Sequence, residues 1–254
     1  MKKYFQASSK TVGYVQNIAM IGTIIGSFFV SWSLGWALLA IAMFYAFSAV
    51  GVSMMHHRYF SHKGFEFKSP LVKWLCISIA TLAGRGSPLA WVYVHRLHHA
   101  YADTEKDPHS PEFGFKFFNI KSTTAANKID QLFMIRDMLS KSNVFINDWY
   151  VALVLAFPLL LTALFGFQAA FFFWFLPVCI NQLALDFFTY FTHVEAGYRT
   201  TETRDNSRNV TWLWPIVLGE AWHNNHHASP KDPHYGKGKF EFDPIYYLIK
   251  LVSK

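Results

Sequence analysis

The chain has 254 residues, 52% of them apolar and only 15% charged, too few charges for an ordinary soluble domain of this size. Its two cysteines, Cys76 and Cys179, lie far apart, which excludes a disulfide framework and gives no support to a thiolate metal site. The formal charge is +7, but no basic stripe stands apart from the flanks of the apolar segments, so no nucleic-acid partner is expected.

The opening residues, MKKYFQASSKTVGYVQN, lack the short apolar core and small-residue cleavage site of a signal peptide. The first apolar segment is therefore expected to stay in the protein. That segment, residues 14–30, and the next, 36–55, are each long and apolar enough to cross a bilayer, which takes about 20 residues. The turn SWSLG joins them into a helical hairpin. On the second segment Ala42, Ala46, Ala49 and Ser53 follow one another at helical spacing and lead to His57. Small residues in such a stripe let membrane helices approach closely.

At the end of that segment stands the box His57-Arg-Tyr-Phe-Ser-His62. Residues five apart lie about 140° apart on an ideal α-helix, so His57 and His62 can grip one ion only if the helix loosens. Residues 71–83 are too short to span, are interrupted by Lys73 and are followed by GRGSP; an interfacial or buried helix is expected. The box His95-Arg-Leu-His98-His99 follows, its histidines at i, i+3 and i+4, on one helix face. Residues 149–165 and 169–191, joined by GFQ, form a second predicted hairpin. The later segment carries a stripe of Gln182, Asp186, Thr189 and His193 through a Phe-rich helix. Polar groups at membrane depth are costly and usually face a cavity or a site. The last box, His223-Asn-Asn-His226-His227, repeats the i, i+3, i+4 spacing.

All 23 Lys and Arg fall in residues 2–10, 58–141 and 199–254. Cytoplasmic loops carry the Lys/Arg excess, so both hairpin turns are predicted to face outward, and both termini and every histidine box to face the cytosol. The expectation is one all-α domain over residues 1–254: an integral membrane protein with four transmembrane helices in two hairpins and a cytosolic histidine-rich helical cap over 56–148 and 192–254. In a bacterium it would sit in the inner membrane. Anionic headgroups beside the cytosolic flanks account for the basic charge.

Neutral imidazole is the commonest nitrogen ligand for a transition metal, and nine histidines at one membrane face can hold two ions. A single such triplet could be an amphipathic helix with hydrogen-bonded histidines; three boxes together favour a di-metal enzyme. Spacing alone admits zinc or iron, which differ in that only iron has redox chemistry. A non-catalytic membrane metal-binding or transport protein is the alternative from another class, and it would need ligands along a transmembrane path. Glu220, Asp103, Asp107, Asp186 and Glu195 are candidates to accept the second N–H of ligating histidines.

At these boxes the sequence resembles the membrane-bound fatty acid desaturases, in their Δ9, stearoyl-CoA-desaturase-like branch of bacterial type. The matching runs are HRYFSH at 57–62, HRLHHAYADTEKDPHSP at 95–111, THVEAGYRTTETRDNSRN at 192–209, GEAWHNNHH at 219–227 and FEFDPIYYLIKLV at 240–252. The resemblance implies two iron ions, one held by His57, His62, His95, His99 and His226, the other by His98, His193, His223 and His227. Where the family usually has an Asn holding a metal-bound water, this chain has Thr189, whose hydroxyl can hydrogen-bond water. His56, His109 and His234 match no ligand position. The implied reaction removes two hydrogens from an acyl chain on CoA or lipid, using O2 and two electrons; a hydroxylase of the same superfamily is the nearest alternative. Tyr93-Val94 replaces the Arg-Asp pair that contacts CoA in the animal enzymes, which favours an acyl-lipid or other bacterial-type substrate. Electrons are expected from a separate ferredoxin, rubredoxin or cytochrome b5 type protein. Under this resemblance the stripe Ala42, Ala46, Ala49, Ser53 becomes one wall of an acyl channel, with Tyr45 and Ile41 placed to limit its depth.

Overall fold

A computed structural model describes residues 8–108, 110–111 and 131–254, and His109 lies outside them. Among the described residues the regular secondary structure is helical, with three isolated bridge pairs in the connecting loops and termini. The helices used below are α1 (Ser8–Gly26), α2 (Leu34–Ser61), α3 (Pro70–Leu82), α4 (Pro88–Tyr101), α5 (Lys141–Asp148), α6 (Tyr150–Phe165), α7 (Phe167–Phe191), α8 (His223–Ala228) and α9 (Pro244–Val252).

Local chemistry sets several of the starts. Ser69-Pro70, Ser87-Pro88 and Asp243-Pro244 each place a side-chain oxygen at the cap, accepting from a backbone N–H in the first turn, and a proline just inside. The proline's missing N–H is no loss there, and its fixed φ suits a first helical residue. Between α3 and α4, Gly84 and Gly86 have φ of +73° and +104°. A β-carbon at Gly84 would also stand 2.7 Å from Val178 Cγ1 of α7, so the turn requires glycine.

Two helices, α2 with 28 residues and α7 with 25, are long and apolar enough to cross a membrane. A third span results if α5 and α6 are one broken helix, bent by 65° at Trp149. The predicted span 149–165 is thus the straight part after the bend. α1 is helical, but its apolar stretch, Val12–Gly26, is shorter. The architecture is all-α and membrane-associated. Large apolar side chains such as Phe28, Leu34, Leu159 and Phe165 are exposed, as a lipid-facing surface would be.

The bundle core lies where α1, α2, α3, α6 and α7 meet, around the fully buried Trp174, whose indole N–H donates to Leu82 O at 2.9 Å. The turn after α1 is tied to the first turn of α7: Gln168 donates to Ser31 O and accepts from Ser31 N. The histidine boxes sit at the other end of α2 and α7. From Ala46 onward α2 is π-wound, with His62 N donating to His57 O, an i→i+5 bond. Such winding is rare and is concentrated at functional sites.

A paired histidine centre

Nine histidines converge in two groups whose facing nitrogens all lie within 4.8 Å of one another. One contains His57, His62, His95, His99 and His226; the other, His98, His193, His223 and His227. Helix geometry decides the split. Residues one turn apart share a group, and a turn is four residues in α4 and α8 (His95 with His99, His223 with His227). In π-wound α2 it is five, which brings His62 onto the face of His57. His98 and His226, three residues from their box's first histidine, fall in the other group from it. His193 comes from the turn just beyond α7.

Facing Nε2 atoms lie 2.7 Å apart for His62 and His95, 2.9 Å for His57 and His226, 2.9 Å for His226 and His99, 3.0 Å for His193 and His223, and 3.3 Å for His98 and His227. Two nitrogens about 2.1 Å from a common ion stand roughly 3.0 Å apart at right angles and about 4.2 Å apart on opposite sides. The observed separations lie close to the right-angle value, the His62–His95 pair a few tenths of an ångström below it.

Carboxylates orient the rings from behind. Glu220 Oε2 lies 2.5 Å from His57 Nδ1, both Asp107 oxygens 3.0 Å from His98 Nδ1, Asp103 Oδ1 3.0 Å from His193 Nδ1, and Asp205 Oδ2 2.8 Å from His227 Nδ1. Where the contact is a hydrogen bond, at His57, His98 and His227, the carboxylate accepts, so the proton sits on Nδ1 and the Nε2 lone pair points inward; Asp103 is a close charged neighbour of His193. His98 and His227 therefore turn two lone pairs on each other, an arrangement that a cation between them relieves. Burial, reinforced by neighbouring imidazoles, lowers the pKa of His62 to about 2 and of His227 to about 3, and depresses His95, His99, His223 and His226 strongly. Neutral imidazole is the form that binds metal.

Of the acids singled out from sequence, Glu220, Asp103 and Asp107 touch histidines of the two groups. Asp186 instead accepts from Gln182 at 2.9 Å, and Glu195 is exposed beside Arg208. Asp205 stands at no helical spacing from a histidine box, and its only signal in the sequence is its place inside the run THVEAGYRTTETRDNSRN. His56 faces Ala80 O at 3.1 Å and stacks on Trp91, and His234 stacks on Tyr246, both away from the groups.

Arg58, beside His57 in sequence, is fully buried. It donates to Glu220 Oε1 (3.0 Å), Asp243 Oδ2 (2.8 Å) and Pro233 O (2.7 Å), and lies 3.8 Å above the Tyr235 ring. Tyr235 in turn packs on His226. The charge is thus compensated on both sides, and it locks the first box to the third. The short α8 is held by Asn209, whose Oδ1 accepts from Asn224 N and Asn225 N.

A narrow cavity of about 60 Å³ ends on this centre, lined by His57, His95, His98, His193 and His223 at one end and by Val52, Ala184, Leu185 and Phe188 along its walls. On α2 its lining residues are Ser48, Val52, Ser53 and His57. Ala42 is exposed, Tyr45 and Ala46 are half-buried and Ala49 is buried, and none of the four lines this cavity. Tyr45 nonetheless adjoins it, donating to Pro215 O next to the lining residue Ile216. Thr189 lines the cavity beside His193, its hydroxyl donating to Asp186 O at 3.2 Å.

Residues 31–239 match the family model for fatty acid desaturases. The chain is 31% identical over 232 residues to Delta-9 acyl-lipid desaturase 1 of Arabidopsis thaliana, covering 86% of this chain and 73% of that protein. It is 29% identical over 248 residues to Delta-9 acyl-lipid desaturase 2 of the same plant (91% and 75%). With the sn-1 stearoyl-lipid 9-desaturase of Anabaena variabilis it shares 28% over 252 residues (95% and 91%). The match spans every histidine of both groups, and the chain belongs to the fatty acid desaturase family, oxidoreductases built around a di-iron centre.

Proposed function

We propose that this chain is a Δ9-type desaturase of lipid-bound acyl chains, with four membrane spans in two hairpins and its termini and histidine boxes in the cytosol. The absence of an Arg-Asp pair at Tyr93-Val94 and the activities for which the relatives are named, acyl-lipid and stearoyl-lipid desaturation, support a lipid carrier. The confinement of Lys and Arg to three stretches supports the topology.

The observation that carries the reading is the apolar cavity ending on both histidine groups. His57, His62, His95, His99 and His226 would hold one iron, and His98, His193, His223 and His227 the other. Bound iron supplies dioxygen-activating redox chemistry. The protein's part is positional. Val52, Ala184, Leu185 and Phe188 exclude water and hold methylenes against the ends of His57, His95 and His193, while Glu220, Asp107 and Asp205 keep their partner rings in one tautomer. Expression in a desaturase-deficient host tests this: new cis double bonds at C9 of membrane lipids are expected, and hydroxylated chains or unchanged lipids would overturn it.

Thr189 would hold a metal-bound water at the cavity wall. Thr189→Val keeps the shape but removes the hydroxyl; turnover should fall several-fold at unchanged iron content, and Thr189→Asn should retain activity. Wild-type turnover in the Val variant would leave Thr189 as packing.

The acyl path continues beyond Ser48 along α2, with Ala42 and Ala46 as its small-residue wall and Tyr45 and Ile41 limiting its depth. Ala46→Phe should shift products to shorter chains, and Tyr45→Ala should admit longer ones. The measurement is product chain length alongside protein abundance; lower abundance at an unchanged distribution would show that the stripe only packs helices.

A further inference from the structure

The centre has a second approach. Of the nine histidines only His62 lines the open surface recess of about 430 Å³ formed with Ser61, Ser229, Pro230, Lys231 and Asp232. His62 does not line the acyl cavity. Its Nε2 lies 2.7 Å from that of His95, so one imidazole separates the floor of the recess from the first histidine group.

The rim is basic. Lys231 is exposed and has no ion pair among the described residues. Lys63, next to His62, and Arg96, which donates to Ser61 O, share the single carboxylate of Asp137. Lys237 pairs with Asp232. Beside the lining residues Lys231 and Asp232, three more cations (Lys63, Arg96 and Lys237) are tied to the recess through a neighbouring or lining residue, against the one further carboxylate of Asp137. Such an excess steers an anionic partner to the recess and raises its encounter rate.

We propose that this recess is the electron-entry site, where a small acidic one-electron carrier protein docks with its redox group against the His62 edge. The inference rests on the desaturase reading, which requires –CH2–CH2– + O2 + 2 e⁻ + 2 H⁺ → –CH=CH– + 2 H2O. Each docking delivers one electron and releases an oxidised carrier, so two dockings serve one turnover. Electrons and acyl chain then reach the centre from different sides, and the carrier never competes with the lipid.

The test uses the full-length iron-loaded protein in detergent micelles with a reduced [2Fe–2S] ferredoxin as probe, its oxidation followed by stopped flow. The second-order rate should fall as salt rises from about 50 to 500 mM. Lys231→Glu should lower it about tenfold at low salt and flatten the salt dependence, while Lys231→Arg should match wild type. Single turnover driven by dithionite should give the same product in all three. An unchanged ferredoxin rate in Lys231→Glu overturns the docking site, as does an equal loss with dithionite, which would mean a damaged centre. Failure of the desaturase reading looks different: wild type would then make no double bond with either reductant, whatever the ferredoxin rate does.

Discussion

Alanine at His57 or His98 should reduce desaturation by roughly 100-fold or more, with the protein still present in the membrane. The two residues belong to different groups, so each variant removes one nitrogen from a different ion. Loss of a ligand leaves that ion under-coordinated and alters the redox chemistry the reaction needs. The effect should exceed what packing explains, since each ring also turns a proton toward a buried carboxylate, Glu220 or Asp107, which would lose its partner. His56→Ala is the control: that ring faces Ala80 O and stacks on Trp91 without joining either group. It should keep its iron and most of its activity. Activity and iron content measured on equal amounts of protein check both halves, and full activity in His98→Ala would defeat the ligand assignment.

Glu220→Gln should lower iron affinity and activity by about 10–100-fold, although Glu220 is not one of the nine histidines. Its carboxylate accepts from His57 Nδ1, Arg58 and the Ser53 hydroxyl, and it lines the cavity. Burial would raise this carboxyl, but the adjoining His57 and Arg58 hold it down at about 2, so it is ionised under physiological conditions. Gln fills the same space but can no longer fix the His57 tautomer with a full charge. It also leaves the fully buried Arg58 with Asp243 as its only anion. Breaking one side of a buried charge pair costs about 3–5 kcal/mol, so thermal stability should fall along with iron retention. Chelator challenge and a melting curve on the same sample measure both; wild-type values in each would show that Glu220 neither orients His57 nor balances Arg58.

The histidine boxes were legible because an α-helix returns to the same face every three to four residues, and the H-x-x-H-H spacing follows that rule in α4 and α8. The π-winding of α2 has no such signature. Read with α-helical spacing, His57 and His62 diverge by about 140°; wound i→i+5 they share a face, as Ser48 and Ser53 share the cavity wall. The same winding explains why Ser48 and Val52, absent from the small-residue stripe, line the cavity where Ala46 and Ala49 do not. Carboxylates close in sequence to a box could be guessed, as with Asp107 and Glu220. Asp205, 22 residues before His227, reaches its ring only through the fold of the connecting loop. The break at Trp149 was illegible for a similar reason: α5 and α6 differ in direction, and hydropathy records no direction.

Nine imidazole nitrogens are expected to hold two iron ions, and elemental analysis of purified, active protein tests this most directly. About two iron atoms per chain are expected, one per histidine group, with about one after His98→Ala if the groups bind independently. Two zinc atoms per chain in a preparation that desaturates acyl lipids without iron would contradict it.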